Sequence, residues 1–397
     1  VCSSDLVSSA AMTLSVPAGA VLDPPGGEGA MTVATEWAMR GAGDRDSRAL
    51  NDALDALGCR HHESVRSRHI HFSSSQLGRN LGEVLSIYAD IVLRPRLEDQ
   101  AFESCRELAL QDLESLEDEP MRKSMVLLQE KFYPYPLGRT TMGKARSLKG
   151  LSPDVVREQV REQFRPDGAI LAVAGNLDWP RLREDVHRLL GDWSGSARKD
   201  VETQPPDRGN THISKDSAQT HIDLAHESVP VSHPSYYPAR MAEAVLSAGM
   251  SSRLFSEVRE KRGLVYHVST RYHSLKEHAG MLTYAGTVPE KARETFEVTV
   301  RELRRLAEGI EEEELDRART QLKSSLIMQG ESTGSRAGSL ASDWYHLGRV
   351  RSLSEMQEAI DGVTAGQVID YLHEYPAKDF TVLVIGPSPV ELGPEAW

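Results

Sequence analysis

Hydrophobic and polar positions along the chain change period repeatedly, and each change marks an element. MTLSVPAG at 12–19 alternates with the period of a strand, and MTVATEWAM at 31–39 has the spacing of a helix. Leu50, Leu54 and Leu57 fall on one helical face in ALNDALDALG, which Ser47 is expected to cap and Gly58 to stop. HESVRSRHIHFSSS then alternates as a strand pair. LGRNLGEVLSIYADIVLRP is a long amphipathic helix ended near Pro95, and LEDQAFESCRELALQDLESLEDEP is a charged helix punctuated by Pro120.

The polar, proline-marked stretch at 195–210 (GSARKDVETQPPDRGN) has no apolar period and reads as a linker. Beyond it the same order recurs. HIDLAHESVP at 221–230 is strand-like and PARMAEAVLSAG at 238–249 is helical. SSRLFSEVREKRG at 251–263 is a helix that Gly263 ends, and VYHVSTRYHS and GMLTYAGTV are strands. PEKARETFEVTVRELRRLAEG is the long helix and EEEELDRARTQLKSSLIMQ the charged one. This repetition predicts two related domains of mixed helix and strand, 1–194 and 211–397, from an internal duplication. A duplication this long is not a solenoid.

Composition narrows the classes. A net charge of −13 argues against a nucleic-acid footprint. No apolar run reaches the ~20 residues of a membrane helix. Cys2, Cys59 and Cys105 are few and lack metal spacing, which leans the compartment toward the cytoplasm over the periplasm. The chain begins at Val1, and VCSSDL reads as a non-native leader, so the start is expected to be truncated and to lack a first strand.

Three stretches together resemble one family. PPGGEGAMTVATEWAMRGAG is similar to a PPGKEGLAHFLEHMLFRGT pattern, YPLGRTTMG at 135–143 to HPLGRPILG, and GMSSRLFSEVREKRGLVYHV at 249–268 to a bacterial consensus over its whole length. These are patterns of the M16 peptidases, which include insulinase, pitrilysin and the mitochondrial processing peptidases, and the resemblance implies two related α+β domains, each a largely antiparallel sheet with helices packed on one face. The family's HxxEH motif sets two histidines on one helix face to share a zinc, with a glutamate between them as base. Aligned on Gly29 and Gly41, this chain has Thr32 and Glu36 at the histidine positions and Thr35 at the base. Asp112 stands 76 residues beyond Glu36 (112 − 36), at the place of the third ligand. No HxxEH or HExxH occurs anywhere. The resemblance therefore implies a subunit that binds no zinc itself, with Glu36 and Asp112 as solvated or paired carboxylates.

The family's second element, an Arg and a Tyr seven positions apart, corresponds to Arg259 and Tyr266. Together they could hold a substrate carbonyl and a developing oxyanion. From the residues alone Arg259 reads as one solvated charge in REKR and Tyr266 as core; the resemblance assigns them the chamber. His62 and Glu63 fall on the strand that pairs with substrate in the family, and offer a strand edge to peptide. The resemblance implies a heterodimer in which an HxxEH-bearing partner supplies zinc and this chain supplies Arg259 and Tyr266, acting on unfolded peptides. A scaffold member without a peptidase partner is the alternative, and an active zinc peptidase with an atypical site ranks third.

Other candidates have structural explanations. His61, His62, His69 and His71 resemble a metal cluster but lack a third ligand with recognised spacing, and read as exposed strand histidines. His221, His226 and Glu227 are expected on a strand surface. The acidic start of EEEELDR suits a helix dipole. Gly249-Met250-Ser251-Ser252 lacks the lysine of a phosphate loop. WYHLGR at 344–349 reads as core.

Overall fold

The computed structural model describes residues 7–195, 201–391 and 393, and the backbone of 2–3. The expected leader and the centre of the expected linker (196–200) otherwise lie outside the described residues. The strands of the first half are β1 (Cys2–Ser3), β2 (Ser9–Val16), β3 (Arg60–Val65), β4 (Ile70–Leu77) and β5 (Ile170–Gly175). Its principal helices are α1 (Ala30–Ala38), α2 (Ser47–Ala56), α3 (Leu81–Leu93), α4 (Asp99–Ser115) and α5 (Pro120–Phe132). The second half adds β6 (Asn210–Ser214), β7 (Thr220–Ser228), β8 (Val265–Ser274), β9 (Ala279–Thr287) and β10 (Thr381–Gly386). With them come α6 (Tyr236–Ser247), α7 (Ala292–Arg305), α8 (Glu312–Glu331) and α9 (Thr333–Leu347). The cap of α2 is Asp46 rather than Ser47: its carboxylate accepts the Ala49 N–H at 2.8 Å.

The two sheets repeat strand for strand. The first runs β1-β5-β2-β4-β3 and the second β6-β10-β7-β9-β8. In both, only the pair at one end is parallel, β1 with β5 and β6 with β10. The rest is antiparallel, with registers such as Leu14 opposite Phe72 and Leu224 opposite Thr283. The place of the expected missing strand is thus held by the short β1, against five residues in β6.

The chain divides into two compact units, and these are not the two halves of the sequence. The first comprises Val1–Ser115, Arg139–Glu202 and Gln329–Val350; the second comprises Leu116–Gly138, Thr203–Met328 and Arg351–Trp397. Each half lends one helix to the other unit: α5 joins the second, α9 the first. In the first unit, Met12, Leu14 and Val173 face the main core with α1 and α3, while Ala11 and Ala174 face Ala337 and Leu340 of α9. In the second, Ile222, Leu224, Met281 and Val384 face α6 and α7, while Ala225, Leu282 and Leu383 face Leu128 and Phe132 of α5. Most helices lie on one face of each sheet, and the exchanged helix covers part of the other.

That covering helix corrects two expectations. His221 and His226 are buried, not on a strand surface, because both faces of β7 are packed. Helix α9 presents its small residues Ala337 and Ala341 to the sheet, so Trp344 of WYHLGR stands 53% exposed instead of in the core.

Candidate functional site

Helix α1 carries the motif positions, and its first turn is built by two of the recognised stretches. Gly29 opens the helix at φ +99°, a conformation that favours glycine. The Asp23 carboxylate accepts the N–H groups of Gly29 at 2.7 Å and Met31 at 2.8 Å. Burial pushes the Asp23 carboxyl up to about 6, against the opposing pull of those two N–H bonds and of Arg139. Arg139, from YPLGRTTMG, donates to the carbonyls of Ala20 (3.0 Å) and Asp23 (2.8 Å). Gly143, at φ +78°, lies so close to Gly29 that a Cβ there would come within 2.5 Å of the Glu28 carbonyl oxygen. The Ser147 hydroxyl donates to the Glu28 carboxylate. These motif residues fix where α1 starts and how it points.

The four side chains at the motif positions are committed elsewhere or exposed. Thr32 donates its hydroxyl to the Thr141 carbonyl. Thr35 is buried and donates back to the Met31 carbonyl at 2.7 Å. Glu36 pairs with Arg40 one turn on, and Arg40 lies beside Cys105 of α4. Asp112 sits exposed on α4. Helices α1 and α4 meet through Trp37 and Phe102, whose rings lie edge to face at 4.9 Å.

Strand β3 is the free edge of the first sheet. His62 is exposed there, but Glu63 is half-buried on the opposite face. Its carboxylate accepts from Tyr88 (3.3 Å) and meets His61 Nδ1 at 3.1 Å, and burial raises its pKa above the usual carboxylate range. The two residues expected to serve a peptide together therefore face apart. His69 meets the Gly168 carbonyl at 3.2 Å and stacks edge-on against Tyr345 at 5.1 Å. His71 meets Ser15 Oγ at 3.3 Å and is held down to about 4 by burial, with His69 and Arg66 adding to the effect.

Arg259 and Tyr266 flank the turn into β8, and both stand on local irregularities. Residues Phe255–Glu260 form a π-helical turn, not the α-helix expected for 251–263. The Gly263 N–H bonds the Arg259 carbonyl at 3.0 Å, and Gly263 takes φ +56° to release the chain. In β8 the register slips between Val265 and His267, leaving Tyr266 as the extra residue of a bulge. A bulge turns its side chain out of the alternation. Tyr266 is accordingly 62% exposed, which corrects its reading as core.

Charge pairing singles out Arg259 from its neighbours. Lys261 and Arg262 both bind Glu257 at 2.7 Å, and these bonds hold that carboxyl down to about 2. The Arg259 guanidinium lies 5.0 Å over the Phe255 ring and is exposed. His267 follows Tyr266, and burial together with Arg271 and Arg259 lowers its pKa. It was not among the residues singled out by sequence. Only the structure singles it out: in Val265-Tyr266-His267-Val268 the bulge sets two exposed residues between two buried ones.

Two family models match successive parts of the chain. Residues 1–145 match the insulinase model of peptidase family M16, and residues 150–322 match the model described as the M16 inactive domain. The chain belongs to the M16 peptidase family. An uncharacterised zinc protease of Rickettsia bellii is 26% identical over 389 residues, 96% of this chain and 93% of that protein. One from Bacillus subtilis is 26% identical over 357 residues, 88% of this chain and 86% of that protein. In fold, the chain is similar to the crystal structure of an M16 inactive domain from Pseudomonas fluorescens, with TM-score 0.89, 19% identity and coverage of 98% and 95% of the two chains. It is also similar to a chain of Complex III2 from Candida albicans, with TM-score 0.85, 17% identity and coverage of 97% and 93%.

Membership in M16 implies a zinc site at α1, and the residues there do not fit one. Zinc wants three or four imidazole, thiolate or carboxylate donors converging on one point. Here two positions carry threonines whose hydroxyls donate to backbone carbonyls, and a third carries a carboxylate already neutralised by Arg40. Among the described residues no group of three or more His, Cys, Asp or Glu side chains is placed to hold a metal ion. Nor, among them, is any helix long and apolar enough to cross a membrane.

Proposed function

We propose that this chain is a non-catalytic partner subunit of a heterodimeric M16 peptidase. It would donate Arg259 and Tyr266 to a zinc site held by an HxxEH-bearing partner. The observation that carries the reading is the contrast between the two elements. The motif positions on α1 have lost zinc chemistry, while Arg259 and Tyr266 remain exposed, aimed by a π-turn and a bulge. Irregularities that turn polar side chains outward are costly unless used. In this reading the guanidinium and phenol hold the substrate carbonyl and stabilise the charge that develops on its oxygen. The edge strand β3 would offer its backbone to an extended, unfolded peptide. The description of the matched family model as an inactive domain agrees with a subunit that does not cleave by itself.

The test is to mix this chain with an HxxEH-bearing M16 chain from the same source and follow a quenched peptide. Arg259→Ala and Tyr266→Phe are expected to lower kcat/KM by 10²-fold or more, the scale of losing one oxyanion donor. Unchanged rates in both variants refute the donation. A scaffold role without a peptidase partner is the second reading, favoured by the likeness in fold to a chain of Complex III2 from Candida albicans; failure of any HxxEH-bearing chain to associate would select it.

A further inference from the structure

Beyond Tyr266, strand β8 carries two basic residues, His267 and Arg271, that the proposed reading does not use. Arg259, His267 and Arg271 are all exposed, and Arg259 and Arg271 both act electrostatically on His267. His267 and Arg271 are four residues apart on one strand and so project from the same face. Among the described residues neither arginine forms an ion pair, although the chain as a whole carries a net charge of −13 and most of its arginines are paired with carboxylates. The face is also firmly backed. The His267 ring packs against Tyr284 at 5.9 Å, and Tyr284 OH meets His221 Nδ1 at 2.8 Å across the neighbouring strands of the same sheet.

Unpaired guanidiniums on a rigid, exposed edge have one evident complement, a carboxylate that accepts charge-assisted hydrogen bonds. The edge constrains what carries it. Strand β8 lies at the end of its sheet, but the Ser247 hydroxyl takes the outward N–H of Thr270 at 2.9 Å. Backbone pairing along the middle of the edge is thereby blunted, and side chains are left to do the recognition. Two basic groups on the strand and one on the turn that precedes it fit a few carboxylates of an extended chain, not the continuous footprint of a nucleic acid.

We propose that Arg271, with His267 and Arg259, forms a subsite for an Asp or Glu side chain of an extended peptide, so that this subunit selects acidic segments. This rests on the reading of Arg259 and Tyr266 as a substrate-facing element, but its test needs no partner and no cleavage. The full chain is titrated into a fluorescent, C-terminally amidated peptide containing two glutamates, and into its glutamine twin, with anisotropy as the readout. The amide removes the terminal carboxylate as a source of binding. The glutamate peptide is expected to bind about tenfold more tightly, as for one good charge-assisted contact. Arg271→Gln should bring it to the level of its twin, and Arg271→Glu should reverse the preference toward a lysine-containing peptide. Both variants change an exposed side chain, and unaltered thermal unfolding confirms their fold. A glutamate peptide that binds no better than its twin overturns the proposal, as does an Arg271→Gln chain that keeps the full preference. Acid-selective binding without partner-dependent cleavage would retain this subsite and reject only the heterodimer.

Discussion

Asp223 on β7 offers a sharp test of how the exchanged helix α5 closes its unit. The side chain is fully buried on the face that α5 covers, and neither carboxyl oxygen has a hydrogen-bond partner. Burial pushes its pKa well above the ordinary 3.8, and the nearby Ser124 hydroxyl offsets this only in part. The sign follows from proton binding. Between the ordinary carboxylate value and the raised one, the folded state keeps a proton that the unfolded chain has released. Stability is therefore full below the ordinary value and is lost as pH rises toward the raised one, with a limiting slope of about 1.4 kcal/mol per pH unit. Asp223→Asn keeps the shape and removes the titration, so it should gain relative to the parent steadily across that window. His226 works in the opposite sense: burial holds it down to about 4 from 6.5, so it costs stability as pH falls through that range, by about 3 kcal/mol in all. Only the difference between the two chains isolates Asp223. Hydrogen exchange of β7 and β9 peptides, corrected for intrinsic rates, reports the second unit. Tryptophan fluorescence in a Trp397→Phe background serves as the control, since the other four tryptophans, Trp37, Trp179, Trp193 and Trp344, all lie in the first unit. Parallel pH profiles for parent and Asp223→Asn would refute the reasoning.

Three further outcomes are expected. Gly143→Ala combines a positive φ with a Cβ 2.5 Å from the Glu28 carbonyl, and should lose more than about 2 kcal/mol, read as a fall in the first unit's urea midpoint. Phe132→Ala empties the contact between α5 and the second sheet; a loss of about 3–5 kcal/mol should appear in urea unfolding, together with faster proteolysis in 116–138. Tyr266→Phe removes only an exposed hydroxyl and should leave thermal unfolding within about 0.5 kcal/mol of the parent, so any loss in the partner assay belongs to function and not to folding.

Much of this protein was legible without coordinates, because its signals are local. The periods of 2 and 3.6 residues placed the two strand pairs and the long helices, and their recurrence announced the duplication that the two sheets repeat strand for strand. That Thr32, Thr35, Glu36 and Asp112 bring no imidazole is a matter of residue identity alone. What depended on distant chain was not legible. The order of elements says nothing of α5 and α9 changing units, because that exchange is decided by which sheet face each apolar stripe covers. The covered faces in turn bury His221, His226 and Asp223, which period alone leaves on a surface. Glu63 was read as a peptide contact, but its surroundings, Tyr88 and His61, come from the packing of α3 and from its own strand face. Arg259 and Tyr266 were found by pattern. Their exposure was decided by a π-turn and a one-residue slip against β9, and a register is a property of two strands, not of one.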